Sequence, residues 1–96
     1  MKATVVGLVT PHVLRVIDLA KQAETGTNVD WHLRDAVAKT TDDLAHQFNA
    51  PDLFAAYIHG LETAAQDAAS TRKVYARALQ SAAAMAIAAR TLRERD

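Results

Sequence analysis

Three histidines stand one helical turn from a carboxylate: His32 with Asp35, His46 with Asp42 and Asp43, and His59 with Glu62. Residues three or four apart share a helix face. Each pair could therefore offer an imidazole and a carboxylate to one cation, as the metal sites of helical bundles do. A bundle centre needs several such pairs to converge, and the same spacing also serves ordinary polar pairs on solvated helices. The reading is that no metal is bound. Nucleophilic chemistry is thinly supplied. There is no cysteine, which removes thiolate catalysis, disulfides and cysteine metal sites together. The two serines, Ser70 and Ser81, lie outside any glycine-flanked elbow. The glycines, Gly7, Gly26 and Gly60, are isolated, so no phosphate-cradling loop is expected. Only three glutamates occur, which leaves paired-carboxylate chemistry poorly provided for. The expectation is a protein without catalytic residues or cofactor.

The charges suggest partners. The 96-residue chain carries eleven basic and eleven acidic side chains. They are unevenly placed. Residues 1–69 hold five basic and nine acidic side chains, a net of −4, and residues 70–96 hold six and two, a net of +4. A dipolar chain of this kind pairs its two ends with each other or with a second copy. It lacks the general basic field of a nucleic-acid binder. If DNA were bound, the backbone contacts would come from Arg72, Lys73 and Arg77.

These groups must be positioned by helices. The length sets one domain, residues 1–96, with a limited core. Half of the residues are apolar and much of that is alanine, which suits thin helices packed closely. The β-branched run around Gly7 allows a short strand, but residues 1–10 read better as an arm or a first helical turn. Thr10 and Pro11 form a helix start, a hydroxyl cap followed by proline, and Gly26 sits where a C-terminal glycine belongs. The first helix is predicted over 11–25. Asn28 or Asp30 caps the next, whose buried stripe is Leu33, Ala36, Val37 and Thr40. Thr41 before Asp42 and Asp43 also reads as a fresh cap, after which Leu44, Ala45 and Phe48 face inward. Pro51 breaks the helix at Ala50. Phe54, Ile58, Leu61, Ala65 and Ala68 then repeat at helical spacing, and Tyr75, Leu79, Ala82, Ala86 and Ala89 resume the phase. One long helix and two helices with a bend at Ser70 and Thr71 both fit. The fold class is all-α, a small bundle of three to five helices with a long alanine-rich C-terminal helix.

The stretch 33–61, LRDAVAKTTDDLAHQFNAPDLFAAYIHGL, resembles the helix-turn-helix of phage-repressor-like regulators. The likeness rests on Leu33 and Arg34, then Thr41, Asp42, Asp43, Leu44 and Ala45, on Phe48 closing the first helix, on a turn at Asn49 and Ala50, and on Ala55, Ile58 and Gly60. It implies a crossing packed by Leu44, Phe48, Ala55 and Ile58 over the small Ala45. Two features depart from the pattern. Asn49 stands where the turn usually has glycine. The would-be recognition helix offers Pro51, Asp52, Leu53, Ala56 and Tyr57, and residues 40–71 contain five acids and no basic side chain. Base edges are read by arginine, lysine, asparagine and glutamine, so this surface opposes DNA. The length and the break near Pro51 are also similar to secreted helical hairpins of the WXG type. Trp31-His32-Leu33 lacks their Trp-x-Gly turn, and Leu92 stands where their tail motif has tyrosine.

The strongest functional signal is apolar surface. Besides the line through Tyr75 and Leu79, a second line runs Val74, Ala78, Ser81, Met85, Ala88 and Leu92. A helix apolar on two sides exceeds what a small domain covers easily, and uncovered apolar surface marks partner sites. Leu53 and Tyr57 form a further candidate surface, one helical turn apart. Trp31 is expected to staple Val29 to the core. The sequence thus points to a protein that acts through helix–helix contacts, with itself as a homodimer or with another protein. The opening apolar run is too short for a signal-peptide core and no segment reaches the ~20 apolar residues of a membrane span. A cytoplasmic protein with no membrane contact is expected.

Overall fold

Pro11 does not begin a helix. In the computed structural model, which describes residues 2–95 and side chains from Val5 to Glu94, the first helix, α1, runs Lys2–Glu24 straight through it. The predicted start at 11 is therefore corrected, and of the arm, first helical turn and strand considered for the opening segment, the described residues 2–10 are helix. Proline removes the N–H that would reach the carbonyl of Gly7. Gly7 and Pro11 both face solvent, where water can serve that carbonyl. Thr10 does not cap. Its hydroxyl donates to the Val6 carbonyl at 2.7 Å, one turn back. The buried line Val9, Val16 and Ala20, flanked by Val13 and Ile17, continues across the proline. Burial of that line outweighs one missing hydrogen bond.

The end of α1 is as expected. Gly26 has φ 94°, a left-handed conformation open to glycine at little cost. Gly26 N–H donates to Ala23 and Thr27 N–H to Gln22, the paired bonds of a Schellman motif. The second helix, α2, spans Asp30–Ala45 and its cap residue is Val29. Asn28 contributes from one residue earlier, accepting the Asp30 N–H on its side chain. Leu33, Ala36, Val37 and Thr40 are all buried, as the spacing predicts. Thr41 is not a second cap. It is buried in mid-helix, and its hydroxyl donates to the Val37 carbonyl at 2.9 Å, with Ala38 also in reach.

After a turn at 46–49, α3 covers Ala50–Ala68 with Pro51 in its first turn. Residues 69–72 then separate α3 from α4, Lys73–Arg95, so the long C-terminal pattern is two helices that fold back on each other. The short connection enforces antiparallel packing, and α3 with α4 is the most extensive helix pair. The result is an all-α bundle of four helices, with no strand among the described residues. It is not a two-helix hairpin of the WXG type.

α4 packs against all three other helices. That accounts for its wide buried face: Tyr75, Leu79, Ala82 and Ala86 are buried, and so are Ala76, Ala78 and Ala83 beside them. Alanines let three neighbours approach one backbone. A second close approach joins α1 to α3. A β-carbon added to Gly60 would lie 3.0 Å from Val13 Cγ2, so the glycine leaves room for the valine.

Candidate functional site

The carboxylate–histidine pairs do not converge. His32, His46 and His59 are exposed on separate helices or turns. Asp35 pairs with Lys39 at 3.0 Å instead of with His32. His46 Nδ1 donates to the Asp42 backbone carbonyl at 2.7 Å. Among the described residues, no three His, Asp or Glu side chains lie close enough to hold one metal ion.

The charge split is used within the molecule. Arg72, just before α4, grips Glu24 at the end of α1, with its Nε donating to Glu24 Oε2 at 2.9 Å and its Nη2 donating to Oε1. Its guanidinium also lies 3.8 Å above the Tyr75 ring. This contact holds the Glu24 carboxyl below its usual range and raises the Arg72 guanidinium, with partial burial opposing both. At the other end of α4, Arg93 reaches Asp42 of α2 at 3.4 Å. Of the three residues considered for DNA backbone contact, Arg72 is thus committed to Glu24, while Lys73 and Arg77 are exposed and outside the described ion pairs.

The expected apolar surfaces fall out differently. Leu53 and Tyr57 are not exposed; at 1% and 0% relative exposure they lie in the core. Ala78 is likewise buried and Met85 is half-buried, while Val74, Ser81, Ala88 and Leu92 of the second α4 line are exposed. Val74 and Leu92 sit near opposite ends of α4, so they do not form one patch. Trp31 does not staple the loop. It is 68% exposed, edge-on to His32, and the buried residue beside it is Val29.

The predicted crossing of the helix-turn-helix stretch is also rearranged. Leu44 and Ile58 are buried, but Ala55 is exposed and Phe48 is fully exposed. The turn at Asn49 has φ −108°, so it does not use the left-handed conformation. Phe48 expected to face inward is a failure of periodicity, because α2 ends at Ala45 and Phe48 belongs to the turn. No periodic signal marks a side chain that leaves the helix.

Two clefts flank that turn. One, of about 460 Å³, has Ala45, Ala50, Pro51 and Phe54 as its apolar part and Arg90, Arg93 and Glu94 as its charged part. The other, of about 380 Å³, is lined by Leu8 and His12 of α1 with Asp43, Leu44, His46, Gln47 and Leu53. Behind the second cleft lies a small buried polar group. Thr40 and His12 share a hydrogen bond of 3.3 Å between Oγ1 and Nδ1. The neighbouring Tyr57 hydroxyl is buried without a hydrogen-bond partner of its own. Burial pushes its pKa up to about 12, against smaller lowering influences from Thr40 and Arg15. Thr40, which tempers the shift, also shares its hydroxyl with His12.

The fold and these surfaces define a small all-α, four-helix bundle whose turn between α2 and α3 projects an aromatic ring between two clefts. No family model matches the chain, and no curated protein or solved structure matches it either. No helix is long and apolar enough to cross a membrane among the described residues.

Proposed function

We propose that this chain is a non-enzymatic interaction or regulatory protein, oligomeric and cytoplasmic, that works through helix–helix contacts. The observation that carries the reading is Phe48, whose ring is fully exposed at the α2–α3 turn. Large apolar side chains presented singly are ordinary, but Phe48 is not isolated in kind. Val6, Leu8 and Leu14 are exposed along α1, and residues 5–14 contain no Asp, Glu, Lys or Arg. Apolar surface on a small protein is what partner recognition uses, and aromatic residues are enriched at such contacts. The test is sedimentation velocity over a wide concentration range, together with cross-linking and recovery of partners from the source cells. A chain that stays monomeric and recovers no partner removes the reading.

A small transcriptional regulator is the second reading. Lys73 and Arg77, one turn apart and exposed on α4, are the observation that favours it. The acidic outer face of α3, with Asp52, Glu62 and Asp67 exposed, weighs against presenting that helix to phosphates.

A further inference from the structure

We propose that the α2–α3 corner is a self-association surface in which Phe48 of one copy seats in the arginine-walled cleft of a second copy, and the reverse. The inference rests on the self-association proposed above and names the surface that performs it. Phe48 contributes nothing to its own core, so a ring that can bury ~150–250 Å² on contact is left in water. Two residues further on, Ala50 and Pro51 enter the cleft of about 460 Å³ floored by Ala45 and Phe54. That volume lies in the ~300–1,000 Å³ range of small binding sites. Its chemistry suits a phenyl ring: an apolar floor for the edge, and the guanidinium groups of Arg90 and Arg93 for the face.

The charges complement each other as well. The corner that carries Phe48 is acidic, with Asp42, Asp43 and Asp52 all exposed. The wall that would receive it is net basic, with Arg90 and Arg93 against Glu94. Within one copy those arginines are only loosely engaged, Arg93 with Asp42 at 3.4 Å and Arg90 with Glu94 at 4.0 Å. A second acidic corner can share them without breaking a close bond. Finally, Phe48 belongs to the turn between Ala45 and Ala50, both of which line the cleft. In the proposed dimer a two-fold axis beside this turn brings each ring to the other copy's cleft at the same time. Such an isologous contact closes as a dimer instead of extending into a fibre. A different protein would have to bring its own aromatic and acidic groups, whereas a second copy already carries both.

The experiment is sedimentation velocity on the full chain and on two variants, Phe48→Ser and the double reversal Arg90→Glu with Arg93→Glu. Thermal melts by circular dichroism at low concentration accompany it. The wild type is expected to dimerise in the micromolar range. Phe48→Ser is expected to raise the dimer Kd about tenfold or more with an unchanged melt, because the side chain touches no core residue. The double reversal is expected to weaken the dimer, and more so at low salt. A wild-type dimer that Phe48→Ser leaves intact overturns this surface but leaves self-association standing. A wild type that stays monomeric at hundreds of micromolar overturns both. A monomer that instead binds anilinonaphthalene sulfonate, and loses it in the double reversal, overturns the second copy as occupant and assigns the cleft to a small anionic ligand.

Discussion

Arg72 clasps Glu24 across the bundle, fastening the start of α4 to the end of α1 with two hydrogen bonds while its guanidinium covers the Tyr75 ring. The two residues are 48 positions apart in the chain. The pair draws the basic C-terminal segment back onto the acidic remainder, so part of the charge split is met inside one molecule.

The clasp makes stability depend on acid. The Glu24 carboxyl is held below its ordinary 4.5 by Arg72. A carboxyl with a depressed folded pKa stabilises the fold above its unfolded pKa, and that contribution disappears as pH falls through the folded value. Denaturant unfolding from pH 7 down to pH 2 should therefore show a loss below about pH 4.5 that is smaller in Glu24→Gln. Arg72→Ala should lower the melting temperature at pH 7 and flatten the same acid limb. An acid limb identical in all three proteins would show that the clasp does not form in solution.

Tyr57 makes an opposite dependence at high pH. Its hydroxyl is buried and ionises near 12. A group whose folded pKa is raised favours the fold below its unfolded pKa, near 10, and the stabilisation is lost as pH rises through the folded value. Ultraviolet titration in a Tyr75→Phe background should find the remaining tyrosine ionising near 12 and unfolding between pH 10 and 12. Because the hydroxyl has no partner, Tyr57→Phe should leave stability unchanged or raise it by about 1–2 kcal/mol. A loss above about 1 kcal/mol would mean that the hydroxyl is bonded, with Thr40 the nearest candidate.

Pro11 separates a helix that starts from one that passes through. At a first helical position proline is favourable, and Pro11→Ala would be neutral or harmful. In mid-helix the alanine restores an N–H for the Gly7 carbonyl, and Pro11 lies inside α1. Pro11→Ala should stabilise by about 1–3 kcal/mol, reduced from the full interior cost by the freer unfolded chain. Urea unfolding decides between the two, and a destabilised variant would restore the start at Thr10.

DNA contact is the remaining test of the second reading. Fluorescence anisotropy of a random-sequence duplex at low salt gives phosphate attraction its best chance. We expect no binding by the wild type at high micromolar concentration. Binding that weakens steeply with salt and vanishes in Lys73→Glu with Arg77→Glu would put the regulator reading first.

Much of this architecture was legible along the chain, and the reasons are local. The stripe Leu33, Ala36, Val37 and Thr40 is buried because 3.6-residue periodicity places those positions on one face. Gly26 ends α1 because its backbone conformation suits glycine alone. Pro51 opens α3 because its missing N–H costs nothing in a first turn. The all-α class and the alanine-rich final helix belong to the same local information. Tertiary structure decided the rest. Whether Leu53 and Tyr57 meet water depended on how the other helices pack against α3, and both are buried. Which apolar positions of α4 meet water depended on where its three neighbours pack: Ala78 is buried, whereas Val74, Ala88 and Leu92 are exposed. Thr10 and Pro11 carry a helix-start signal worth a few kcal/mol at most, and the buried line from Val9 to Ala20 overrode it. Phe48 follows the spacing of a buried residue, yet the chain leaves the helix before reaching it. Periodicity reports which faces are apolar; only the packing of distant segments determines which of those faces water still touches.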